Sequence, residues 1–452
     1  MKNNTLFDVI IIGSGPSGIL TSIKLVEAGL SVALVDNGGN YYTRLHTKTT
    51  RDLTGFGGAA MRYDANLDYS DGIPPKSNLG KRVFGNNEVA TKCIKDVYNK
   101  LNFFGLEIEI RSGKKVSRNS YHSGLKIVDR GILPIGEKAS IRILRNIYNY
   151  LVSNNTVFFE FTEVIRVTKR DGFEVKALRA GKEMLMLFGK KVVFATGKLS
   201  LSHSRAIFDQ LGVKYEYCDS LDVGVRIETK KKSTDPITIR WTNPKIIFED
   251  QGVTSRTFCW CPGGKVIYYK FEGMSIVDGQ HCHDNPTNQT NFGIVTSINL
   301  PRGVDGTKLG ISYITTFNEF TKYRPGLQLM RDFINKRVSS EKEINSNEIA
   351  PTISEYCLVD LNMLLIFGLS KSILNLVQKI NEKYPGTINN NSLIYGPVLE
   401  KIFPKVNLDT NMESSIKGFY LVGDISGKAI GVVTGAAMGI KAAQHIIQSI
   451  NT

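Results

Sequence analysis

Apolar positions in this chain fall in short unbroken runs near its two ends and its middle, and alternate with polar positions in between. The run Phe7 to Ile12 is apolar at nearly every position and gives way to glycine, the mark of a strand buried on both faces. From Ile19 to Ala28 the spacing becomes helical, with Ile19, Ile23, Val26 and Leu30 on one side and Gly29 as a stop. A second buried strand runs from Ser31 to Val35. The same signal recurs at Lys190 to Ala195 and at Gly418 to Val422. The latter leads into a helix from about Val433 to Ile450, packed by Ala436, Ala437, Ala442, Ala443, Ile446 and Ile447. Ser140 to Leu151 is predicted as helix. Val157 to Phe161, Val164 to Thr168 and Phe173 to Leu178 are predicted as a β-meander leading up to Ala195. Alternation at Asp222 to Ile227, Lys245 to Ile247, Val266 to Tyr269 and Ile294 to Asn299 predicts strands of a further region, which turns helical at Leu327 to Val338 and Leu369 to Lys383.

Between the first strand and first helix stands G-x-G-x-x-G, as Gly13-Ser14-Gly15-Pro16-Ser17-Gly18. Each residue type has a physical reason. Gly13 permits the tight turn, Gly15 lets the backbone approach a pyrophosphate, and Gly18 lets the helix pack closely on the strand. The pyrophosphate then meets free N–H groups at the helix start. Asp36 ends the second strand, where a carboxylate accepts from a ribose hydroxyl, and Asn37 follows it. An acid there disfavours a 2′-phosphate. The reading is dinucleotide binding, with FAD and NAD left open by this motif alone.

Two later motifs narrow it. Val192-Val193-Phe194-Ala195-Thr196-Gly197 and Gly418-Phe419-Tyr420-Leu421-Val422-Gly423-Asp424 follow in the order and at the separations of a known frame. With them the chain resembles the two-dinucleotide-binding group of FAD oxidoreductases. The resemblance implies that Thr196 and Gly197 mark a crossover close to the cofactor and that Gly423 and Asp424 serve its ribityl and pyrophosphate region. It implies that Gly431, Val432 and Val433 lie beside the flavin ring, with Gly58, Ala59 and Val164 completing the cofactor contacts. A narrower resemblance rests on Gly55-Phe56-Gly57-Gly58-Ala59, Gly224-Val225-Arg226-Ile227-Glu228 and Phe258-Cys259-Trp260-Cys261-Pro262-Gly263-Gly264-Lys265-Val266. These are similar to segments of the poorly characterised bacterial and archaeal FAD-dependent dehydrogenases, a family without a well-defined common substrate. The chain departs from that family at Met61-Arg62-Tyr63-Asp64-Ala65-Asn66, where Ser-Asp-Gly-Lys is usual.

The expected fold class is α/β: a doubly wound, Rossmann-like FAD-binding domain with an inserted α+β substrate lobe. The FAD domain is expected to be discontinuous, over 1–60, 135–210 and 405–452. A loop-rich insert spans 61–134 and the substrate lobe 211–404. A chain of 452 residues can bury such a core. The chain has no stretch near the roughly 20 apolar residues needed to span a bilayer. Six cysteines in this length do not make a disulfide framework, and the cytoplasm is the expected compartment. Fifty-seven Lys and Arg against 42 Asp and Glu leave a net charge of +15, which suits either a solvated surface or attraction to a polyanion such as nucleic acid. Arg240-Trp241 and Tyr268-Tyr269-Lys270 mix basic and aromatic residues as a base-stacking surface does, and as core strands also do.

Cys259, Cys261, His283 and Arg226 are the candidate catalytic residues. A thiol pair can take electrons from a flavin, although Cys-x-Cys is tight for a disulfide and a shaped turn is the alternative. His283 has the pKa range of an acid or base beside the flavin. Arg226, on a predicted strand, can hold an anionic substrate or the flavin. Cys259, Cys261, His281 and His283 have zinc-ligand chemistry but atypical spacing, and no metal is expected. The functional expectation is an FAD-dependent oxidoreductase that moves a hydride between flavin and an organic substrate held between two lobes. NAD(P)H or a protein serves as electron partner. The alternative is a flavoenzyme that reduces or processes a base in nucleic acid.

Overall fold

A computed structural model describes residues 6–46, 53–59, 61, 66–68, 79–107, 119–122, 124–129 and 132–451. The chain divides into two compact units. The first comprises residues 1–114, 133–216 and 403–452, and the second residues 115–132 and 217–402.

The first unit is an α/β domain on a seven-stranded sheet. Leu6–Ile12 lies parallel to Val32–Val35 on one side and to the C-terminal half of the long strand Glu183–Phe194 on the other. Val32–Val35 is flanked by Val157–Phe159, and the far end of the long strand by Phe419–Leu421, both parallel. The N-terminal half of the long strand instead pairs antiparallel with Phe173–Arg179, which pairs with Thr162–Lys169. The predicted meander therefore loses its first member. Val157–Phe159 is too short to show which neighbour it takes, and the chain turns away at Phe161, whose φ is +51°.

Helix Pro16–Val26 packs on this sheet with eight buried residues, and Pro16 occupies a helix-start position where its missing N–H removes no bond. The final helix, Val432–Asn451, lies against it through small residues. A Cβ on Gly439 would sit 2.4 Å from Thr21 Oγ1 and 2.5 Å from the Ser17 carbonyl oxygen, so glycine sets the helix spacing. The stretch read as loop-rich also holds a 17-residue helix, Asn87–Phe103. Its buried face (Ala90, Cys93, Ile94, Val97, Tyr98, Leu101) has helical period, but charged residues between those positions dilute the signal. Arg62 to Ala65, part of the stretch where the sequence departs from the family it resembles, lie outside the described residues.

The second unit is built on a nine-stranded sheet. Its central strand, Ser220–Lys230, pairs antiparallel with Gln289–Asn299 on one side and Leu393–Leu399 on the other. Val253–Pro262 continues the sheet beyond Gln289–Asn299. The hairpin of Lys265–Phe271 and Met274–Gln280 forms a sheet of its own. Leu327 to Val338, predicted helical, is instead strand Gly326–Leu329 followed by the short helix Met330–Ile334. The apolar spacing there fits either period. Pairing with Leu393–Leu399 decides it, with Gln328 buried and hydrogen-bonded to the Arg337 carbonyl at 2.7 Å. Trp241, Tyr268 and Tyr269 are buried, so they belong to the core and offer no exposed stacking face. Among the described residues, no helix is long and apolar enough to cross a membrane.

Candidate functional site

In the first unit the glycine motif forms the turn between strand and helix. Gly13 has φ +107°, and a Cβ there would lie 2.4 Å from the Ala195 carbonyl oxygen. A Cβ on Gly18 would lie 1.9 Å from the Gly13 carbonyl oxygen. Gly15 is different: nothing lies within 4 Å of its Cβ position. Gly18 thus closes the loop on itself and Gly13 seats it against Ala195, while Gly15 faces open space beside first-turn N–H groups that have no intrahelical acceptor. Ser14 donates from its N–H and its Oγ to Asp36 Oδ2, both at 2.7 Å, while the Gly38 N–H donates to Oδ1 at 2.8 Å. Oδ1 keeps a second lone pair for a ribose hydroxyl. Asn37, next to it, is exposed.

The Gly55 to Ala59 segment folds over this turn. The Gly57 N–H donates to the Ser14 carbonyl at 2.9 Å, and a Cβ on Gly58 would approach Gly15 Cα to 3.1 Å. Ala59 is exposed. Arg44, which the sequence analysis missed, holds the segment in place. It is buried, and its Nη1 donates to the carbonyls of Gly55, Phe56 and Gly58 at 3.1, 2.7 and 3.1 Å. A single arginine in a polar stretch gives no sequence signal for this.

Gly197, at φ +65°, lies three residues beyond the end of the long strand, and Thr196 Oγ1 pairs with Ser204 Oγ at 3.1 Å. The Val164 carbonyl accepts from His203 Nε2. Gly423 has φ +76°, and a Cβ there would lie 2.6 Å from Ser17 Oγ, which ties the tail motif to the first helix. The Gly431 N–H donates to Asp424 Oδ1 at 3.4 Å. Val432 begins the last helix half-buried, and Val433 points into the core. The donor set and the open face of Gly15 fit a dinucleotide. Asp36 and the first-turn N–H groups would hold the nucleotide portion of such a group, and FAD would supply two-electron chemistry.

The second unit brings together the other candidates. Its central strand alternates Leu221, Val223, Val225 and Ile227 with Asp222, Gly224, Arg226 and Glu228, yet all are buried. Arg226 is fully enclosed. Its Nε donates to Asn291 Oδ1 at 2.6 Å, Nη1 to Asp278 Oδ1 at 3.2 Å, and Nη2 to the Cys259 carbonyl at 2.8 Å and to Cys261 Sγ at 3.3 Å. Burial disfavours its charge, but the polar groups around it reverse that, and its pKa is raised. Gly279 makes room for it, since a Cβ there would lie 1.7 Å from Nη2.

A bulge between Phe258 and Cys261, with Cys259 at φ +48°, carries the two cysteines. The histidine that meets them is His281, with Nδ1 3.6 Å from Cys261 Sγ, while His283 is exposed and stacks on His281. The hydrogen bond with Cys261, together with burial, pushes the Cys259 thiol well above its usual pKa. Two positions along the central strand, Glu228 accepts from Thr352 Oγ1 and from Tyr395 Oη, both at 2.5 Å. Burial raises the Glu228 pKa. Among the described residues, no group of three or more His, Cys, Asp or Glu could hold a metal ion.

Residues 220–398, within the second unit, match the model of a family described as FAD-dependent protein, C-terminal domain-like. The chain is an FAD-dependent flavoprotein. It is 23% identical to a Clostridium beijerinckii protein described only as uncharacterized, over 98% of this chain and 81% of the relative. Among solved structures it is similar to Sdh1 of Mycobacterium smegmatis, at 13% identity and TM-score 0.48, covering 99% of this chain and 69% of that one. It is also similar to a 3-ketosteroid-delta4-(5alpha)-dehydrogenase of Rhodococcus jostii, at 12% identity and TM-score 0.45, covering 99% and 98%.

Proposed function

We infer that this flavoprotein is an oxidoreductase that moves a hydride between its flavin and an organic substrate, with NAD(P)H or a protein partner closing the electron cycle. The nucleotide cradle carries this reading. Gly13 and Gly18 are locked against backbone, Gly15 is open, and Asp36 is oriented by Ser14 and Gly38. The match to an FAD-dependent C-terminal domain supports the choice of FAD. In the second unit, Arg226 is enclosed and its charge is held by protein partners, which leaves His283 as the exposed candidate. The test is the visible spectrum of the purified protein, followed by anaerobic addition of NADH or NADPH. A flavin band that bleaches with one nucleotide is the expected result. A flavin band untouched by both assigns the electrons to a protein partner. A colourless protein that cannot be reconstituted with FAD overturns the reading.

A further inference from the structure

We propose that Cys259 and Cys261 are a dithiol–disulfide couple that exchanges with small thiols, in which Cys259 is the sulfur attacked and Cys261 the leaving thiolate.

Geometry comes first. On a regular strand, residues i and i+2 stand about 6.6 Å apart with parallel side chains, too far for a disulfide to close easily. Here the bulge and the left-handed backbone at Cys259 draw the two Sγ atoms to 3.7 Å. A residue with a side chain in that conformation is strained, and strain at such a place points to use.

The two sulfurs also differ in surroundings. Cys261 is buried, with the Arg226 guanidinium 3.3 Å from Sγ. His281 Nε2 faces the Trp260 carbonyl at 2.9 Å. A carbonyl can only accept, so Nε2 carries the proton and Nδ1, 3.6 Å from Cys261 Sγ, is the acceptor. A thiolate at Cys261 accepts from the Arg226 guanidinium, and once His281 Nδ1 takes up the proton given up by the incoming thiol the sulfur lies between two cations, the environment that stabilises a leaving sulfur. Cys259 is mostly buried but not fully enclosed, and its thiol holds its proton tightly.

The chemistry follows from that asymmetry. A small thiolate attacks Cys259 Sγ of the disulfide. The Cys259–Cys261 bond breaks and its electron pair goes to Cys261, held by Arg226. A second thiolate attacks the outer sulfur of the mixed disulfide and releases Cys259, which takes up a proton. Two small thiols are oxidised to their disulfide and the protein disulfide is reduced to two thiols, and the reverse reaction re-forms it. No flavin enters these steps, so the couple stands independently of the hydride reading.

The experiment equilibrates the full-length holoprotein with glutathione at varied ratios of reduced to oxidised form, quenches in acid, alkylates, and maps the cysteines by mass spectrometry. The expected result is a peptide containing both residues that loses two hydrogens and escapes alkylation as the buffer becomes oxidising. Cys261→Ser should accumulate a glutathione adduct on Cys259, at about tenfold or more the level found on Cys261 in Cys259→Ser. Alkylation of both cysteines at every ratio overturns the couple. An adduct on Cys261 in Cys259→Ser that equals or exceeds the one on Cys259 in Cys261→Ser overturns the assigned roles. If either variant fails to fold, the oxidation midpoint of the unmodified protein still decides the couple.

Discussion

The two units solve the problem of a polar site in opposite ways. The cradle of the first is made of backbone: glycines whose missing side chains let one stretch of chain rest on another, with Asp36 as its principal charge. The cluster of the second is made of side chains, with Arg226 surrounded by Asn291, Asp278 and the cysteine bulge. A backbone site fails when one carbon is added, because neither contacting segment can rotate away. A side-chain site fails when a charge loses its partners, because the low-dielectric interior leaves it uncompensated.

The sharpest break is Gly18→Ala. The new Cβ meets the Gly13 carbonyl oxygen at 1.9 Å, backbone against backbone, and the cost should exceed about 4 kcal/mol, with loss of bound FAD. Denaturant unfolding and flavin stoichiometry measure both. Gly279→Ala is the counterpart in the second unit. Its Cβ would lie 1.7 Å from Arg226 Nη2, a side-chain atom that can move at the expense of its partners. A cost of about 3 kcal/mol is expected, with FAD still bound. If Gly279→Ala costs as much as Gly18→Ala or more, the contrast between backbone and side-chain construction is wrong.

Gly15→Ala sharpens the comparison within the cradle. Nothing of the protein lies within 4 Å of the added carbon, so the apoprotein should keep its stability within about 0.5 kcal/mol. The backbone could no longer approach a pyrophosphate as closely, and FAD affinity should fall about tenfold or more, read by titrating apoprotein with FAD. Unchanged affinity would remove Gly15 from the nucleotide site.

How much of this was legible in sequence follows the same division. The cradle could be read because Gly13, Gly15, Gly18 and Asp36 act through local geometry at fixed spacing. Arg44 could not, since its role is to cap three carbonyls about a dozen residues away. The second unit was legible as strands and as a set of candidate residues, Arg226, Cys259, Cys261 and His283, but not as an arrangement. Alternation in Asp222 to Ile227 would ordinarily put the polar face in water. Here Asp222, Arg226 and Glu228 are buried with partners, which only tertiary structure reveals. The histidine pair shows the same limit. His281 and His283 are equivalent by spacing, and the fold alone turns His281 to Cys261 and leaves His283 exposed.

The smallest expected effect is a slope with pH, and it has opposite sign in the two units. Burial raises the pKa of Glu228 in the second unit above its ordinary 4.5. It binds its proton more tightly folded than unfolded, so its contribution to stability is complete below pH 4.5 and is lost as pH rises through the folded value. Glu413 in the first unit is also buried, which alone would raise its pKa. The Gly418 N–H at 2.7 Å and Lys417 at 2.9 Å outweigh that and lower it. Its contribution is present above 4.5 and is lost as pH falls through the folded value. Unfolding free energies between about pH 2 and pH 8 should therefore lose their alkaline-side decline in Glu228→Gln and their acid-side decline in Glu413→Gln. Glutamine keeps an acceptor for Tyr395 or Gly418 in each case, so the change should appear in the slope more than at the stability maximum. A Glu228→Gln profile that still declines above pH 4.5 as steeply as the unmodified protein would show that the buried carboxyl is not the group responsible, and that the two units do not differ in this respect.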